Sequence, residues 1–341
     1  MPGPSDLADD AWRVCDGVIT IRPLRPGDAQ RLVRGRDVEF RRWFGKGSDN
    51  PEPTACIVKD GEVIGWVDYD ADEDHHWLAP DEVNVGYNVF APHRRQGLAT
   101  RAIMVLMHRI AIEGAARTAS VLIERENRPS LGVAIRARFG NQREQGKNYY
   151  LSRAVPPLAY TDGVVTIRRQ DPIDIDTDLA AKDDEQIDWL WLPGEREQWE
   201  AMTPAQQRAH SIRWLRSTHD GFGSGPKWAF SVDTAEARHV AFVGCDLANE
   251  EVPAGEANLS YSSHPDHRGR GYVTRAVRQL LRFLAEHTGT PRAHLLIDER
   301  NAPSLRVARS LTAAAPEPFI NLRGQAFLRF TIEIPAPQVS R

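Results

Sequence analysis

Arginines, a glycine and a helix pattern come together at residues 91–102, which read APHRRQGLATRA. Four apolar residues then follow at the spacing of one helix face, namely Ile103, Leu106, Met107 and Ile110. The first turn of a helix presents unpaired backbone N–H groups and a partial positive charge, and nearby guanidinium groups reinforce that charge. The junction around Gly97 is therefore predicted to bind phosphate oxygens.

The same pattern recurs 174 residues later in the chain. Residues 265–276 read PDHRGRGYVTRA and again lead into apolar residues at helical spacing. The constant offset relates Gly97 to Gly271 and holds without a gap over residues 82–134 of the first copy. A repeat of this length predicts two copies of one domain.

Length and composition agree with a two-domain globular protein. The 341 residues include 43 Lys and Arg against 47 Asp and Glu, so the net charge of −4 argues against a protein that wraps nucleic acid. Cys15, Cys56 and Cys245 show no metal-ligand spacing and are typical of reduced thiols. Because no stretch approaches the ~18 apolar residues of a membrane span, we expect a cytoplasmic protein without membrane or nucleic-acid partners.

Each copy opens with an Asp-Gly turn before a strand pattern, at Gly17 and at Gly163. We predict a flexible tail, a first domain, a linker containing two prolines and a second domain, at residues 1–16, 17–155, 156–162 and 163–336. The opening glycine precedes the loop glycine by 80 residues in copy one and by 108 in copy two. The second domain therefore carries 28 additional residues, which we place in a front insertion at about residues 180–220.

Hydrophobic periodicity predicts alternating helices and strands in both copies. In copy one they lie at residues 28–44 (helical), 55–58 and 63–68 (a hairpin), 83–90 (strand), the loop helix, 119–123 (strand), 129–139 (helix) and 148–154 (strand). In copy two they lie at residues 184–191 and 204–217 (helices), 228–232 and 240–245 (strands), the loop helix, 293–297 (strand), 303–311 (helix) and 325–334 (strand).

The order of strand, Arg-x-x-Gly-x-Ala loop, helix, strand, Asn-x-Pro-Ser and helix resembles the GNAT superfamily of acyl-CoA-dependent N-acyltransferases. Its motifs look most like the RimJ/RimL-like branch of ribosomal-protein N-acetyltransferases. The family signature falls on Arg94, Gly97 and Ala99, and on Arg268 and Gly271, with Val273 where a small residue is usual. The resemblance implies an α/β (α+β) fold of two tandem GNAT domains, each with a mixed, splayed central sheet flanked by helices.

The resemblance also implies a cofactor, acetyl-CoA, with no metal. In this family the loop amides hold the pyrophosphate of coenzyme A, and the preceding strand pairs with the pantetheine arm. The cofactor-binding residues expected in copy one are Val89, Arg94, Arg95, Gln96, Gly97, Leu98, Ala99, Thr100 and Asn127. Those expected in copy two are Arg268, Gly269, Arg270, Gly271, Tyr272, Val273, Thr274 and Asn301. Asn127 and Asn301 have a competing structural role as helix N-caps.

Amine acylation requires a neutral attacking nitrogen, a donor for the oxyanion and a proton for the departing thiolate. Glu82 and Glu256 lie on the strand before each loop and are candidate bases. Many GNAT members place a Glu on this strand at the position of Asn84 and Asn258 instead. The alternative is that both glutamates are solvent-facing residues at the start of the strand and have no catalytic role.

Ser130 and Ser304 match the Ser of the RimL-like Asn-x-x-Ser motif, so the resemblance makes them candidate acids for the thiolate. Many GNAT enzymes use a Tyr in the following helix, where this chain has Ala134 and Ala308. A Ser in the first turn of a helix is also a common capping residue, and this alternative stays open.

Two further groups of residues invite a functional interpretation. Adjacent His75 and His76 follow three acidic residues, but neighbouring side chains of an extended chain point to opposite sides, so a solvated loop is favoured over a metal site.

The insertion contains four tryptophans, which either form core or line an acceptor pocket, namely Trp189, Trp191, Trp199 and Trp214. We favour the core interpretation.

The sequence thus favours an acetyl-CoA-dependent N-acyltransferase. Its acceptor is a primary amine of a small molecule, or a peptide or protein, which attacks the thioester directly. The alternative is an acyl-CoA-binding sensor or scaffold in which one or both domains are catalytically silent. A monomer or homodimer is expected, and the insertion is predicted to contact the first domain and shape a shared cleft.

Overall fold

The computed structural model describes residues 11–71, 77–191 and 194–334. The chain divides into two compact units, with the main sequence boundary between Pro157 and Leu158. Within the described residues each unit contains one mixed sheet of eight strands, flanked by helices. Every helix among the described residues is too short or too polar to cross a lipid bilayer.

The first unit begins with a short strand pair and ends with a hairpin. Its described strands are β1 (Val14–Cys15), β2 (Thr20–Arg22), β3 (Ala55–Lys59), β4 (Glu62–Asp70), β5 (Glu82–Val89), β6 (Thr118–Glu124), β7 (Gly140–Gln145) and β8 (Asn148–Ala154). Its described helices are α1 (Asp28–Arg34), α2 (Val38–Phe44), α3 (Leu98–Glu113) and α4 (Arg128–Arg136). The sheet order is β1-β2-β3-β4-β5-β6-β8-β7.

The second unit repeats this plan. Its described strands are β9 (Tyr160–Thr161), β10 (Thr166–Arg169), β11 (Lys227–Asp233), β12 (Ala241–Asp246), β13 (Ala257–Ser263), β14 (Arg292–Ile297), β15 (Glu317–Ile320) and β16 (Ala326–Glu333). Its described helices are α5 (Ile175–Ala180), α6 (Asp184–Leu190), α7 (Glu195–Glu200), α8 (Pro204–Gly221), α9 (Tyr272–His287) and α10 (Ala302–Leu311). The order β9-β10-β11-β12-β13-β14-β16-β15 matches that of the first unit, so the predicted repeat is confirmed.

Both sheets are splayed at their parallel pair. The register of β5 with β6 runs only from Glu82 to Asn84, and that of β13 with β14 covers only Ala257 and Asn258. Beyond these residues the two strands separate, and the half of each strand next to the arginine loop borders a gap. This geometry confirms the expected mixed, splayed sheet.

The apolar face of α3 holds the loop helix against its sheet. Ile103, Leu106, Met107 and Ile110 are each fully buried, as their spacing predicts. Complete burial of such a side chain contributes about 1.5–3 kcal/mol, so this face fixes the helix more strongly than its intrinsic propensity does. The N-terminus of α3 is thereby held close to the end of β5.

The predicted tail at residues 1–16 ends earlier than expected. Residues 1–10 lie outside the described part of the chain, but Val14–Cys15 forms β1 and Asp16 is completely buried. The Asp16 carboxylate accepts the N–H groups of Val18 and Ile19, both at 3.0 Å, and lies 2.7 Å from Nη1 of Arg101. These contacts compensate the burial of the charge, so the tail prediction is wrong for residues 14–16.

The second unit contains the same anchor at its start. Asp162 accepts the N–H groups of Val164 and Val165 at 2.9 Å and pairs with Arg275 at 2.8 Å. Strand β9 begins inside the predicted linker at residues 156–162, because Tyr160 and Thr161 pair with β10. The ordered sheet of the second unit therefore starts earlier than predicted.

The front insertion consists of added helices. The first unit passes from α2 to β3 through residues 45–54, whereas the second passes from α6 to β11 by way of α7 and α8. The predicted helices at residues 184–191 and 204–217 correspond to α6 and α8, but α7 was not predicted.

Candidate functional site

The loop before α3 has two residues in the left-handed backbone region. A 3₁₀ turn at Ala91–His93 leads into the loop, where Arg95 has φ 62° and Gly97 has φ 77°. Gly97 caps α3 without a side-chain hydrogen bond. The N–H groups of Leu98, Ala99 and Thr100 belong to the first turn of α3 and have no acceptor within the helix. They are therefore available to an anion at the loop.

The loop before α9 has the same backbone conformation with different residues. Gly269 has φ 75° and Gly271 has φ 76°, after a 3₁₀ turn at Pro265–His267. A Cβ atom built on Gly97, Gly269 or Gly271 meets no other heavy atom within 4 Å. The loop glycines are thus needed for their backbone angles, and the space beside them is open.

The first arginine of each loop pairs with acidic side chains at the start of a neighbouring helix. Arg94 donates from Nη1 and Nη2 to the two oxygens of Asp37, at 2.7 and 2.9 Å. Arg268 donates to Asp183 at 2.7 Å and to Glu185 at 2.8 Å. Hydrogen bonds from these guanidinium groups lower the pKa values of Asp37 and Asp183. Both predicted phosphate contacts therefore already have carboxylate partners.

In the second unit, an open cleft of about 1290 Å³ brings the predicted site together. The cofactor residues that line it are Arg268, Gly269, Gly271, Tyr272, Val273, Thr274 and Asn301. Ser304 lines it as well, while Arg270 and Glu256 are not among the described lining residues. Helices α6 and α7 and the β15–β16 turn at residues 321–325 contribute further lining.

The corresponding side chains of the first unit surround the start of α3. Val89 and Leu98 are buried, whereas Arg95 and Gln96 are exposed, with Gln96 Nε2 3.2 Å from the carbonyl oxygen of Pro92. The hydroxyl of Thr100 is buried and has no hydrogen-bond partner among the described residues.

Asn127 and Asn301 serve as N-caps of α4 and α10. Their Oδ1 atoms accept the N–H groups of Ser130 and Ser304, at 3.2 and 3.0 Å. The structural alternative for both asparagines is therefore observed. A contact with the pantetheine arm stays a prediction.

Two tyrosines link the splayed strand to the Asn-x-Pro-Ser helix. The hydroxyl of Tyr87 donates to the carbonyl oxygen of Ser130 at 2.9 Å, and that of Tyr261 donates to the carbonyl oxygen of Ser304 at 3.3 Å. Burial raises the pKa of Tyr261 to about 12 and also raises the pKa of Tyr87, so both remain donors at neutral pH. Sequence analysis missed this pair, although the tyrosines keep the 174-residue offset.

Glu82 is the first residue of β5 and pairs with Thr118 of β6, whereas Glu256 directly precedes β13 and lies outside the strand on which it was predicted. Glu82 is buried and accepts the hydroxyl of Tyr150 at 2.5 Å and the N–H of Ala79 at 3.0 Å. Burial, and then its hydrogen bond to Glu82, raise the pKa of Tyr150. Hydrogen bonds to protein donors therefore engage both carboxylate oxygens of Glu82.

Glu256 is bound even more tightly by basic groups. Its Oε1 lies 2.9 Å from Nε of Arg292, and its Oε2 lies 2.5 Å from Nε2 of His294. Burial would raise the pKa of Glu256, but the hydrogen bonds from His294 and Arg292 outweigh it and lower that pKa. The carboxylate is thus an ionised partner of two basic side chains. The base role predicted for Glu82 and Glu256 is not favoured by these contacts.

Asn84 and Asn258 mark the residues at which the strands begin to separate. Asn258 lines the cleft, and its Oδ1 has no hydrogen-bond partner among the described residues. It is an available polar acceptor where the thioester is expected.

The tryptophans of the insertion have different environments. Trp199 is buried and contacts the edge of Trp191, with 5.2 Å between ring centroids. Trp189 and Trp191 line the cleft, and Trp214 is 40% exposed. The core interpretation holds for Trp199 alone, and an acceptor-pocket position fits Trp189 and Trp191. The metal alternative at His75 and His76 lies outside the described residues.

Comparison with known proteins identifies the repeated unit. The family described as "Acetyltransferase (GNAT) domain" matches residues 19–140 and 166–313. No curated protein sequence matches the chain.

Several solved structures are similar to parts of this chain. A GCN5-related N-acetyltransferase from Brucella melitensis has 18% identity, covers 52% of this chain and 80% of its own, and gives a TM-score of 0.40. A GNAT-family acetyltransferase from Bacillus anthracis has 13% identity, with coverage of 52% and 98% and a TM-score of 0.39. RimL, a ribosomal alpha-N-protein acetyltransferase in complex with coenzyme A, has 13% identity, coverage of 52% and 98%, and a TM-score of 0.40.

Proposed function

Because the chain belongs to the GNAT acetyltransferase family through two tandem domains, we propose that it is an acyl-CoA-dependent N-acyltransferase that uses acetyl-CoA. The observation that carries the proposal is the cleft of the second unit. There the left-handed loop, the free half of β13 and the start of α10 line one space, as transfer from a phosphorylated thioester requires. The first unit has the same loop and splayed strands.

The loop and the splayed strand have separate tasks in coenzyme binding. The unpaired N–H groups at the start of α3 or α9 bind the pyrophosphate, assisted by the helix dipole. Arg95 and Arg270 are exposed on these loops and add positive charge. The backbone of β13 beyond Asn258 offers hydrogen-bonding groups to the pantetheine arm, since its pairing with β14 ends there.

In the transfer step the acceptor nitrogen forms a C–N bond to the thioester carbonyl, and the C–S bond breaks. The amine loses one proton, and the departing thiolate gains one. Ser304 lies at the cleft and is the proposed proton donor, with Ser130 in the same place in the first unit. Since Glu82 and Glu256 are engaged by protein donors, we propose that water carries the amine proton away and that both glutamates support the strand.

The acceptor is proposed to be a primary amine. The RimJ/RimL-like motifs lead us to include peptide and protein N-termini beside small molecules. We further propose that the protein acts in the cytoplasm as a monomer or homodimer, without metal, nucleic acid or membrane as a partner.

Thiol release from acetyl-CoA tests the proposal directly. The full-length chain is assayed against a panel of polyamines, amino-sugar antibiotics and peptides with free N-termini, and the acetylated products are identified by mass spectrometry. We expect release that depends on one class of amine and disappears in the Gly97→Glu/Gly271→Glu double variant. Release that is unchanged in that variant would reject the loop assignment.

The hydrogen bonds that occupy Glu82 and Glu256 favour one competing function, an acyl-CoA sensor or scaffold. Such a protein would bind coenzyme A in calorimetry and release no thiol with any amine of the panel. The two measurements together therefore separate the enzyme from the binding protein.

A further inference from the structure

The arginine at the start of each loop connects that loop to a neighbouring helix. The contact recurs in both units, although the insertion makes the sequence around the second helix different. Asp37 is the N-cap of α2 and accepts the N–H of Phe40, and Asp183 is the N-cap of α6 and accepts the N–H of Gln186. One carboxylate therefore starts the helix and binds the loop arginine.

In the second unit a single carboxylate oxygen accepts both the capping hydrogen bond and the hydrogen bond from the arginine. Asp183 Oδ1 lies 3.0 Å from the N–H of Gln186 and 2.7 Å from Nη2 of Arg268. A second carboxylate in the first turn, that of Glu185, receives Nη1 of Arg268 at 2.8 Å. The guanidinium thus binds two acidic groups at one end of α6, a geometry that Arg provides and Lys does not.

Helix α6 has only seven residues, Asp184–Leu190, so its position depends on tertiary contacts and not on intrinsic helix stability. Five of its residues line the cleft, namely Glu185, Gln186, Ile187, Asp188 and Trp189. The loop that contains Arg268 lines the same cleft. A displacement of α6 therefore changes the shape of the space beside the loop.

We propose that Arg268 is a positioning residue that docks α6 onto the coenzyme loop and thereby fixes one wall of the acceptor site. The coenzyme part of this statement rests on the proposed function. Arg94 has the same task for α2 in the first unit. Coenzyme bound at the loop therefore also stabilises α6 through this contact.

The competing role, a direct ligand of the pyrophosphate, gives a different pattern in variants. If Arg268 binds the phosphate directly, its replacement lowers the affinity of the protein for coenzyme, and replacement of its helix partner has no effect. If Arg268 positions α6, replacement of either partner lowers the order of the helix and changes coenzyme affinity little. Arg268→Gln and Asp183→Asn separate the two roles, because Asn keeps a capping oxygen and removes only the charge.

The experiment uses the full-length chain and two readouts. Hydrogen exchange of the peptide amides in residues 184–190 is followed by mass spectrometry, without ligand and with coenzyme A. Affinity for coenzyme A is measured by calorimetry in a Gly97→Glu background, which leaves the second loop as the reporter. Arg270→Gln is the control, since Arg270 is the exposed arginine two residues further along the same loop.

We expect exchange in α6 to rise about fivefold in each single variant, the size typical of one partly exposed ion pair that also caps a helix. The double variant should exchange no faster than the faster single variant, because both changes remove the same contact. Coenzyme A should slow exchange in α6 of the wild type and not in the variants. Its affinity should change by less than about threefold. Arg270→Gln should leave exchange in α6 unchanged in the absence of ligand.

Two results would overturn the proposal. One is a coenzyme affinity that falls tenfold or more in Arg268→Gln and is unchanged in Asp183→Asn, which identifies a phosphate ligand. The other is wild-type exchange of α6 in both variants without ligand. If the wild type binds no coenzyme A at all, the proposed function fails, while the ligand-free exchange still decides whether Arg268 docks α6.

Discussion

Arg95 and Gly269 occupy equivalent positions in the two loops, and both adopt a left-handed backbone, with φ of 62° and 75°. For a residue with a Cβ atom this conformation costs about 1 kcal/mol relative to glycine. We therefore predict that Arg95→Gly increases the free energy of unfolding by about 0.5–1 kcal/mol and that Gly269→Arg decreases it by about 1 kcal/mol. Chemical denaturation of the full chain measures both.

The control for this pair is Gln96→Gly in the same loop. Gln96 is not among the described residues with positive φ, so glycine there adds unfolded-state entropy without relieving strain. We expect a neutral or destabilising effect. A gain in stability equal to that of Arg95→Gly would attribute both changes to general loop flexibility and not to the angle of Arg95.

Gly97→Glu should abolish coenzyme binding at the first loop while the domain remains folded. The space beside Gly97 is free of protein atoms, so the new side chain clashes with no neighbour, but it extends toward the expected pyrophosphate and repels it. Calorimetry with coenzyme A on the full chain should show the stoichiometry fall from two to one.

Gly97→Ala is the matched control for that substitution. It carries the same backbone cost of about 1 kcal/mol at positive φ and adds no charge. Binding should be weakened far less than by Glu. Loss of binding to an equal degree in both variants would mean that the loop conformation, and not repulsion, controls the site.

The side chain of Val273 should weaken coenzyme binding in the second unit. It stands where the first unit has Ala99, and it lines the cleft beside the loop. A β-branched side chain at the first turn restricts the approach of the coenzyme to the helix amides. Val273→Ala should therefore tighten the weaker site by about tenfold, and Ala99→Val should weaken the tighter one by a similar factor. Two equal sites in the wild type would contradict this.

Most of the fold and the loop could be predicted from the sequence, because both depend on local signals. Helical spacing identified the buried face of α3, and the Asp60-Gly61 turn identified the hairpin of β3 and β4, with φ of 51° and 81° at its two residues. The edge strands β7 and β15 were missed. Their residues are mostly exposed, so neither strand has the apolar alternation on which a strand prediction depends.

The site contacts were less predictable than the site elements. Asp37 and Asp183 look like ordinary N-caps in sequence, and nothing local shows that each also binds an arginine of the distant loop. The partners of Glu256 come from β14, which reaches β13 only through the sheet. Charge pairing between elements depends on tertiary arrangement, and hydrophobic periodicity does not encode it.

Tyr87→Phe should destabilise the first unit by about 0.5–1.5 kcal/mol, because it removes one partly buried hydrogen bond to the Ser130 carbonyl and keeps the ring. Tyr261→Phe should cost less, since its bond to Ser304 is longer, 3.3 Å against 2.9 Å. If Ser304 is the proton donor, Tyr261→Phe also lowers kcat with little change in the KM for acetyl-CoA. Equal losses of stability at both positions would show that bond length is not the deciding factor.

Acid should weaken the second unit through Glu256. Its folded-state pKa lies below the ordinary value of 4.5, because hydrogen bonds from His294 and Arg292 outweigh the effect of burial. A group with a depressed folded pKa contributes stability above its unfolded pKa and loses that contribution as the pH falls through the folded pKa. The contribution of Glu256 is therefore complete at neutral pH, begins to fall near pH 4.5 and is lost as the pH drops further through the folded-state pKa.

Glu256→Gln removes this titration and keeps an amide of similar shape. The variant should be less stable than the wild type at pH 7, and the difference should shrink as the pH falls below about 4.5. Urea denaturation at pH 7, 5 and 4 measures the difference, with Asp298→Asn as a control, because Asp298 also has a lowered pKa but binds the exposed Arg300. That control should show a smaller dependence on pH. A difference between wild type and Glu256→Gln that stays constant from pH 7 to pH 4 would mean that the carboxylate is not held ionised by its two basic partners.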